Sequence, residues 1–145
     1  MEPRGIHEAM HRRALAHSVY AEHREGEAGV PLLAFLVAGY DPSSSKAWGT
    51  LRVGDVVQKG LAYLREHQDE KGSFVGVSNP KWGYNHAVAT LAMSEAYGLS
   101  RSPQWKESAQ RGIDALVAGQ SFVSGSADRL GWRYRPQSSE NDISV

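Results

Sequence analysis

The chain has no cysteine. This excludes disulfides, a thiolate nucleophile and every zinc site with a sulfur ligand, while leaving the redox compartment open. A surplus of charge is also missing: Lys+Arg and Asp+Glu stand at 16 each, and the formal net charge is zero. A nucleic-acid binder needs a basic surplus on one face, so no nucleic-acid partner is expected. Long apolar runs are absent as well. The longest, Val30 to Ala38, is nine residues, against the roughly 20 that a membrane span requires. The N-terminus, with Glu2, Arg4 and His7, lacks the apolar stretch of a signal peptide, and a cytoplasmic location is the expectation. What is present is 145 residues, enough for one domain with a real core, in the 41% apolar and 22% charged mixture of a globular chain.

The strongest positive signal is an internal repeat. The run Gln58 to Gln68 aligns without gaps on Gln110 to Gln120, a spacing of 52 residues, keeping Gln, Gly, Leu and Gln in place. Between and before these copies, Leu33-Ala34-Phe35-Leu36-Val37-Ala38-Gly39-Tyr40 reads like Leu91-Ala92-Met93-Ser94-Glu95-Ala96-Tyr97-Gly98. Two helix types therefore alternate. One is amphipathic: Val53, Val56, Val57, Leu61 and Leu64 follow one helical face, and Ala109, Ile113, Leu116 and Val117 repeat the pattern, with charged residues outward. The other type, Pro31 to Ala38 and Ala87 to Met93, is apolar almost all round and predicts a helix covered on every side. Alternation of covered and half-exposed helices is what a two-layer ring produces. A simple four-helix bundle would make all four amphipathic.

Local signals set the boundaries. Pro31 suits a first helical turn, Ser102-Pro103 reads as an N-cap followed by Pro at N1, and Gly39 and Gly98 suit left-handed C-caps. The reading predicts helices over 5–24, 30–38, 53–68, 84–97 and 103–120, with loops over 41–49 and 72–81.

At this point the residues resemble a known group. Lys59-Gly60-x-x-Tyr63-Leu64-x-x-x-Gln68-x-x-x-Gly72-x-Phe74 resembles the QW repeat of squalene–hopene and oxidosqualene cyclases, with Phe74 in place of the usual Trp. A degenerate copy follows in Arg111-Gly112, Leu116, Gln120 and Gly131-Trp132. Here Ala115 replaces the aromatic, and ten residues rather than three separate Gln120 from Gly131. The runs Tyr84 to Ala92, Glu95 to Leu99, Gly131 to Tyr134 and Asp142 to Val145 are similar to bacterial prenyltransferase or squalene-cyclase repeat proteins. The resemblance implies the all-α terpenoid-cyclase/prenyltransferase toroid, here a partial α/α toroid over 28–145 behind an N-terminal helical extension over 1–27, and truncated where a further inner helix should start. It also implies that the Gln amide satisfies orphan groups at an outer helix's end while an aromatic plug ties one hairpin to the next.

The catalytic sets of that superfamily do not carry over. Cyclases protonate substrate from clustered aspartates, which need proximity to split their pKa values. Here the aspartates at 41, 55, 69, 114, 128 and 142 stand apart; only Asp69-Glu70 and Glu140-x-Asp142 come near, and both read as loop. Prenyltransferase zinc sites use Asp, Cys and His, and there is no Cys. No catalytic residue, metal ligand or cofactor is assigned. Trp82, Tyr84, His86 and Glu95 are candidates for lining a cavity; the favoured reading is plainer, a helix-entry histidine packed in an aromatic cluster and, for Glu95, a partner for an arginine or a backbone N–H on the next hairpin.

One rival motif stands out: His7-Glu8-Ala9-Met10-His11 matches H-E-x-x-H, and His17 falls at a third-ligand spacing. Ala14 occupies the position where a metzincin turn needs Gly, so a solvated His- and Arg-rich helix is the favoured reading. Trp132 and Tyr134 beside Arg133 and Arg135 read as an inter-hairpin plug rather than a nucleic-acid platform. The function expected is a non-catalytic or incomplete toroid-repeat protein acting as a binding or scaffold module, with an apolar or isoprenoid ligand, a protein partner, or self-association through the open ring edge as its contacts. The alternative is a fragment of a terpenoid cyclase or prenyltransferase-like enzyme acting on isoprenoids.

Overall fold

The computed structural model describes residues 24–121 and 131–138. Within them the chain is mainly helical: α1 (Arg24–Val37), a two-residue antiparallel ladder of β1 (Ala47–Trp48) and β2 (Leu51–Arg52), then α2 (Val53–His67), α3 (Trp82–Ser100) and α4 (Pro103–Ala118). The helix expected over 5–24 lies, apart from its last residue, outside the described residues.

Each boundary has a local cause. α1 ends in a Schellman motif: Gly39, at φ +82°, lets its N–H reach the Leu36 carbonyl at 2.8 Å while Tyr40 N–H reaches Phe35 at 3.0 Å. In the loop that follows, Asp41 Oδ1 accepts from the N–H (2.8 Å) and the hydroxyl (2.7 Å) of Ser43. These bonds, the Ser43 hydroxyl first, hold the Asp41 carboxyl below its ordinary pKa. α4 starts with Pro103 at N1, after Ser102 in an extended conformation.

α1 pairs with α2, α3 pairs with α4, and the two hairpins join chiefly along α1 and α3. Small residues permit the closest approaches. A Cβ at Gly60 would stand 2.9 Å from Leu32, which keys α2 onto α1, and a Cβ at Gly29 would stand 2.9 Å from Val88 and 3.1 Å from Ala89 N, which brings α1 against the α3 backbone. Val53, Val57, Leu61 and Leu64 are fully buried, as the amphipathic pattern of α2 predicts, while Val56, expected on the same face, is half-buried. Burying side chains of this size stabilises by roughly 1.5–3 kcal/mol each.

Four expectations need correction. α1 begins at Arg24, so Pro31 lies inside the helix rather than in its first turn; there its missing N–H leaves one carbonyl of the preceding turn without its helical donor. α3 runs past Gly98 to Ser100 and is capped instead by Arg101 in the left-handed conformation, φ 53°. The two apolar helices are not covered on all sides: Val30 is 60% and Val37 79% exposed, and Leu91 and Tyr84 also face out. Two hairpins supply neighbours for only part of each helix. On α4 the buried face is Trp105, Ser108, Ala109, Gly112 and Ala115, while Ile113 and Val117 are exposed. The small residues turn inward because Gly112 must approach Phe74 and Thr90, where a Cβ would meet atoms at 2.8 and 3.0 Å.

Candidate functional site

The seam between the hairpins gathers five of the repeat-signature residues: Gln68, Gly72, Phe74, Arg111 and Gly112. α2 ends at Gln68, whose Nε2 donates to the carbonyls of Gly72 and Ser108, both at 2.9 Å, while its Oε1 accepts from Ser108 Oγ at 2.8 Å. One amide thus closes the loop behind its own helix and bonds to α4 of the next hairpin. The loop is shaped by Asp69, whose Oδ1 accepts from Lys71 N–H at 2.9 Å and Ser73 N–H at 2.8 Å. Gly72 sits at φ +87°, with its α-carbon turned against the Arg111 backbone so that no side chain fits.

That turn delivers Phe74 into the core. Its N–H donates to His86 Nδ1 at 3.2 Å, and its ring lies 5.7 Å from the imidazole and against Gly112. With Nδ1 accepting, the neutral tautomer carries its proton on Nε2, which faces the Gly112 carbonyl at 3.1 Å. Trp82 stacks on the other side of the imidazole at 4.9 Å and donates from Nε1 to Ser73 Oγ at 2.9 Å. His86 is fully buried. Burial pushes it down to about 4, against the opposing pull of its bond to Gly112 and the negative charge of Asp69. It is neutral at pH 7, and both of its nitrogens are committed to backbone groups of different elements.

The remaining signature residues are placed as follows. Lys59 is exposed; Gly60 meets Leu32; Tyr63 is half-buried with its ring 4.0 Å from that of His67. Arg111 donates to the Asp69 carbonyl, and Gln120 is half-buried. Gly131 accepts from Ser121 N–H at 2.9 Å. Trp132 is half-buried and donates from Nε1 at 2.8 Å to the Leu116 carbonyl, in the last turn of α4, which also accepts the Gly119 N–H at 3.1 Å. The 131–138 segment is tied further by Gly83 N–H to Tyr134 O and by Gln137 N–H to Gly119 O, both 2.9 Å.

Two clefts are lined by described residues, one of them at this seam. One is apolar, about 230 Å³, and lined by Gly83, Ala87, Leu116 and Trp132. The other, also about 230 Å³, is polar and lined by Arg65, Gln68, Gln104, Glu107, Ser108 and Arg111. None of the four candidates for lining a cavity lines either. Trp82 and His86 are core residues, whereas Tyr84 and Glu95 face solvent on turns of α3 that no described element covers.

Sequence reading missed Trp105, Ser108 and Ser73. Trp105 is fully buried beneath the Arg65 guanidinium at 5.5 Å, and its Nε1 finds no partner among the described residues. The signal was available as the spacing of Trp105, Ser108, Ala109, Gly112 and Ala115, a face of mostly small residues that the bulkier Ile113 and Val117 obscured.

Among the described residues no group of three or more His, Asp or Glu is placed to hold a metal, and no helix is long and apolar enough to cross a membrane. His7, Glu8, His11 and His17 lie outside the described residues, as do Asp128 and Asp142. Comparison with family models, with curated proteins and with solved structures returned no match.

Proposed function

We propose that the chain is a repeat-built binding or scaffold module of the partial α/α-toroid type, and that its QW-like residues serve assembly rather than catalysis. The observation that carries this reading is the seam. Gln68, Arg111 and His86, which tie α2 and the loop behind it to the second hairpin, direct their bonds to backbone groups and to one serine hydroxyl. A general acid or base must reach a reacting atom, and His86 is buried beneath Trp82 and Phe74. Hairpins joined through the close approaches at Gly29 and Gly72 fit a layered repeat whose surfaces present ligands or partners.

The competing reading is a fragment of a terpenoid cyclase or prenyltransferase-like enzyme. Incubation of the purified chain with squalene, and separately with farnesyl diphosphate, magnesium and an acceptor peptide, discriminates the two. Substrate recovered unchanged by mass spectrometry is the expected result. Cyclised or transferred product would replace the scaffold reading by the enzymatic one. For the H-E-x-x-H motif, stoichiometric zinc on the chain that is lost in His7→Ala would establish a metal site.

A further inference from the structure

The seam has a counterpart that the described residues leave open. The register that lays Leu33 on Leu91 also lays Gly29 on Ala87 and Val30 on Val88, and the register that lays Gly60 on Gly112 lays Leu64 on Leu116. At the closed seam Gly29 is buried against Val88 Cγ1 and the Ala89 backbone, and Leu64 and Phe74 are buried in the core. On the far side of the second hairpin, the corresponding Ala87, Leu116 and Trp132 are only half-buried, and together with Gly83 they line the apolar cleft of about 230 Å³. That volume is well above the ~150 Å³ that accommodates a benzene ring in a protein interior, so a branched aliphatic side chain fits with room to spare. Trp132 Nε1 is already bonded to Leu116 O, so no unmet donor from the indole asks for a polar occupant.

α1 carries the complementary feature. Val30, the counterpart of the Val88 that seats on Gly29, is 60% exposed, and Ala34 and Val37 extend the exposed stripe by one and two helical turns. The hole on α3 and α4 and the knob on α1 are thus made of positions whose repeat counterparts, Gly29 and Val88, already meet inside the chain.

We propose that copies of this chain associate head to tail, with Val30 of one copy seated in the Ala87–Leu116–Trp132 cleft of the next as Val88 is seated on Gly29. The partner is a second copy because the two free edges continue, in register, the interface that joins the hairpins. The contact is heterologous, so it extends or closes into a ring rather than stopping at a two-fold dimer. Ala87 carries a methyl group that Gly29 lacks, which holds the backbones further apart and makes this contact weaker than the internal seam. The proposal rests on the repeat reading of the scaffold and gives that scaffold its partner.

Sedimentation equilibrium of the full chain from about 1 to about 300 µM tests it, since association follows mass action. The expected result is an average mass rising with concentration above the 15.9 kDa of one chain. Val30→Asp removes the knob and Ala87→Glu the hole, and each alone is expected to stay monomeric. Val30→Lys and Ala87→Gln serve as replacements should circular dichroism show either first variant unfolded. Mixed in equal amounts, one variant of each kind retains a single intact knob and a single intact hole, and the mixture is expected to give a 1:1 dimer and nothing larger. A chain that is monomeric throughout, association that survives both substitutions, or a mixture that forms no dimer overturns the proposal. None of these results touches the scaffold reading, which is decided by substrate turnover.

Discussion

Gln68 has no substitute within its reach. Its Nε2 satisfies carbonyls on two elements and its Oε1 takes the Ser108 hydroxyl, so truncation strands three partners at a half-buried join. Gln68→Ala is expected to cost about 1–3 kcal/mol in urea denaturation, with the partners left unsatisfied setting the size. Ser108→Ala keeps the backbone carbonyl and loses only the hydroxyl, so it should cost less. The double mutant should be less destabilised than the sum of the two, by about 0.5–1.5 kcal/mol. Strict additivity would mean that the amide and the hydroxyl are not coupled.

His86 predicts a pH dependence whose sign follows from its environment. Its folded pKa of about 4 lies below the ordinary 6.5, so between those values the unfolded chain binds the extra proton. The contribution of the neutral imidazole is therefore complete above about pH 6.5 and is lost as pH falls toward 4, up to about 3 kcal/mol from this one group. Protonating Nδ1 also turns the acceptor for Phe74 N–H into a donor facing a donor. His86→Gln should be destabilised at pH 7 and should lie progressively closer to the natural chain as pH is lowered. Parallel stability curves for the two proteins over pH 4–7 would refute this account.

At the scale of the elements, α3 shows how a cap can be displaced from the residue best suited to it. Gly98 is available, yet the helix continues until Arg101, whose N–H reaches the Tyr97 carbonyl at 2.8 Å in a left-handed conformation. A residue with a Cβ is strained there by roughly 1–2 kcal/mol, whereas Gly adds about 0.4–1 kcal/mol of unfolded-state entropy cost. The strain term is larger, so Arg101→Gly should gain about 0.5 kcal/mol, seen calorimetrically as a Tm rise of about 1–2 °C. Arg101→Ala keeps the strain while removing the charge and should leave Tm unchanged. Helix identity was legible in the sequence for α1 to α4, and approximate extent for α2 to α4, because apolar spacing and Pro103 act locally; for α1 only the end at Gly39 was. The last turn of α3 was not, because its length depends on packing of the Ala96 and Tyr97 side chains.

Across the whole molecule, backbone-close contacts at Gly29, against Ala89, and at Gly72, against Arg111, tie the first hairpin and the loop behind it to the second. Trp82 and Trp105, both buried in the second hairpin, should therefore report the same unfolding midpoint as far-UV circular dichroism, which senses both. Gly29→Ala introduces a Cβ 3.1 Å from the Ala89 backbone. The overpacking cost of about 1–3 kcal/mol exceeds the helix-propensity gain of about 1 kcal/mol. The expected outcome is a lower midpoint with the two probes separating, and an unchanged single transition would show that the hairpins are not coupled through α1 and α3.

The amino-acid order alone determined the repeat, the alternation of amphipathic and apolar helices, the fully buried face of α2 and the residues at the ends of the repeat motif, because periodicity and turn chemistry act over a few neighbours. Which face α4 buries, how Trp82 and His86 are enclosed, and that Val30 is left exposed and Ala87 half-buried were decided only in three dimensions. Those outcomes depend on how closely two backbones approach. That distance is set at single glycines by residues far away along the chain.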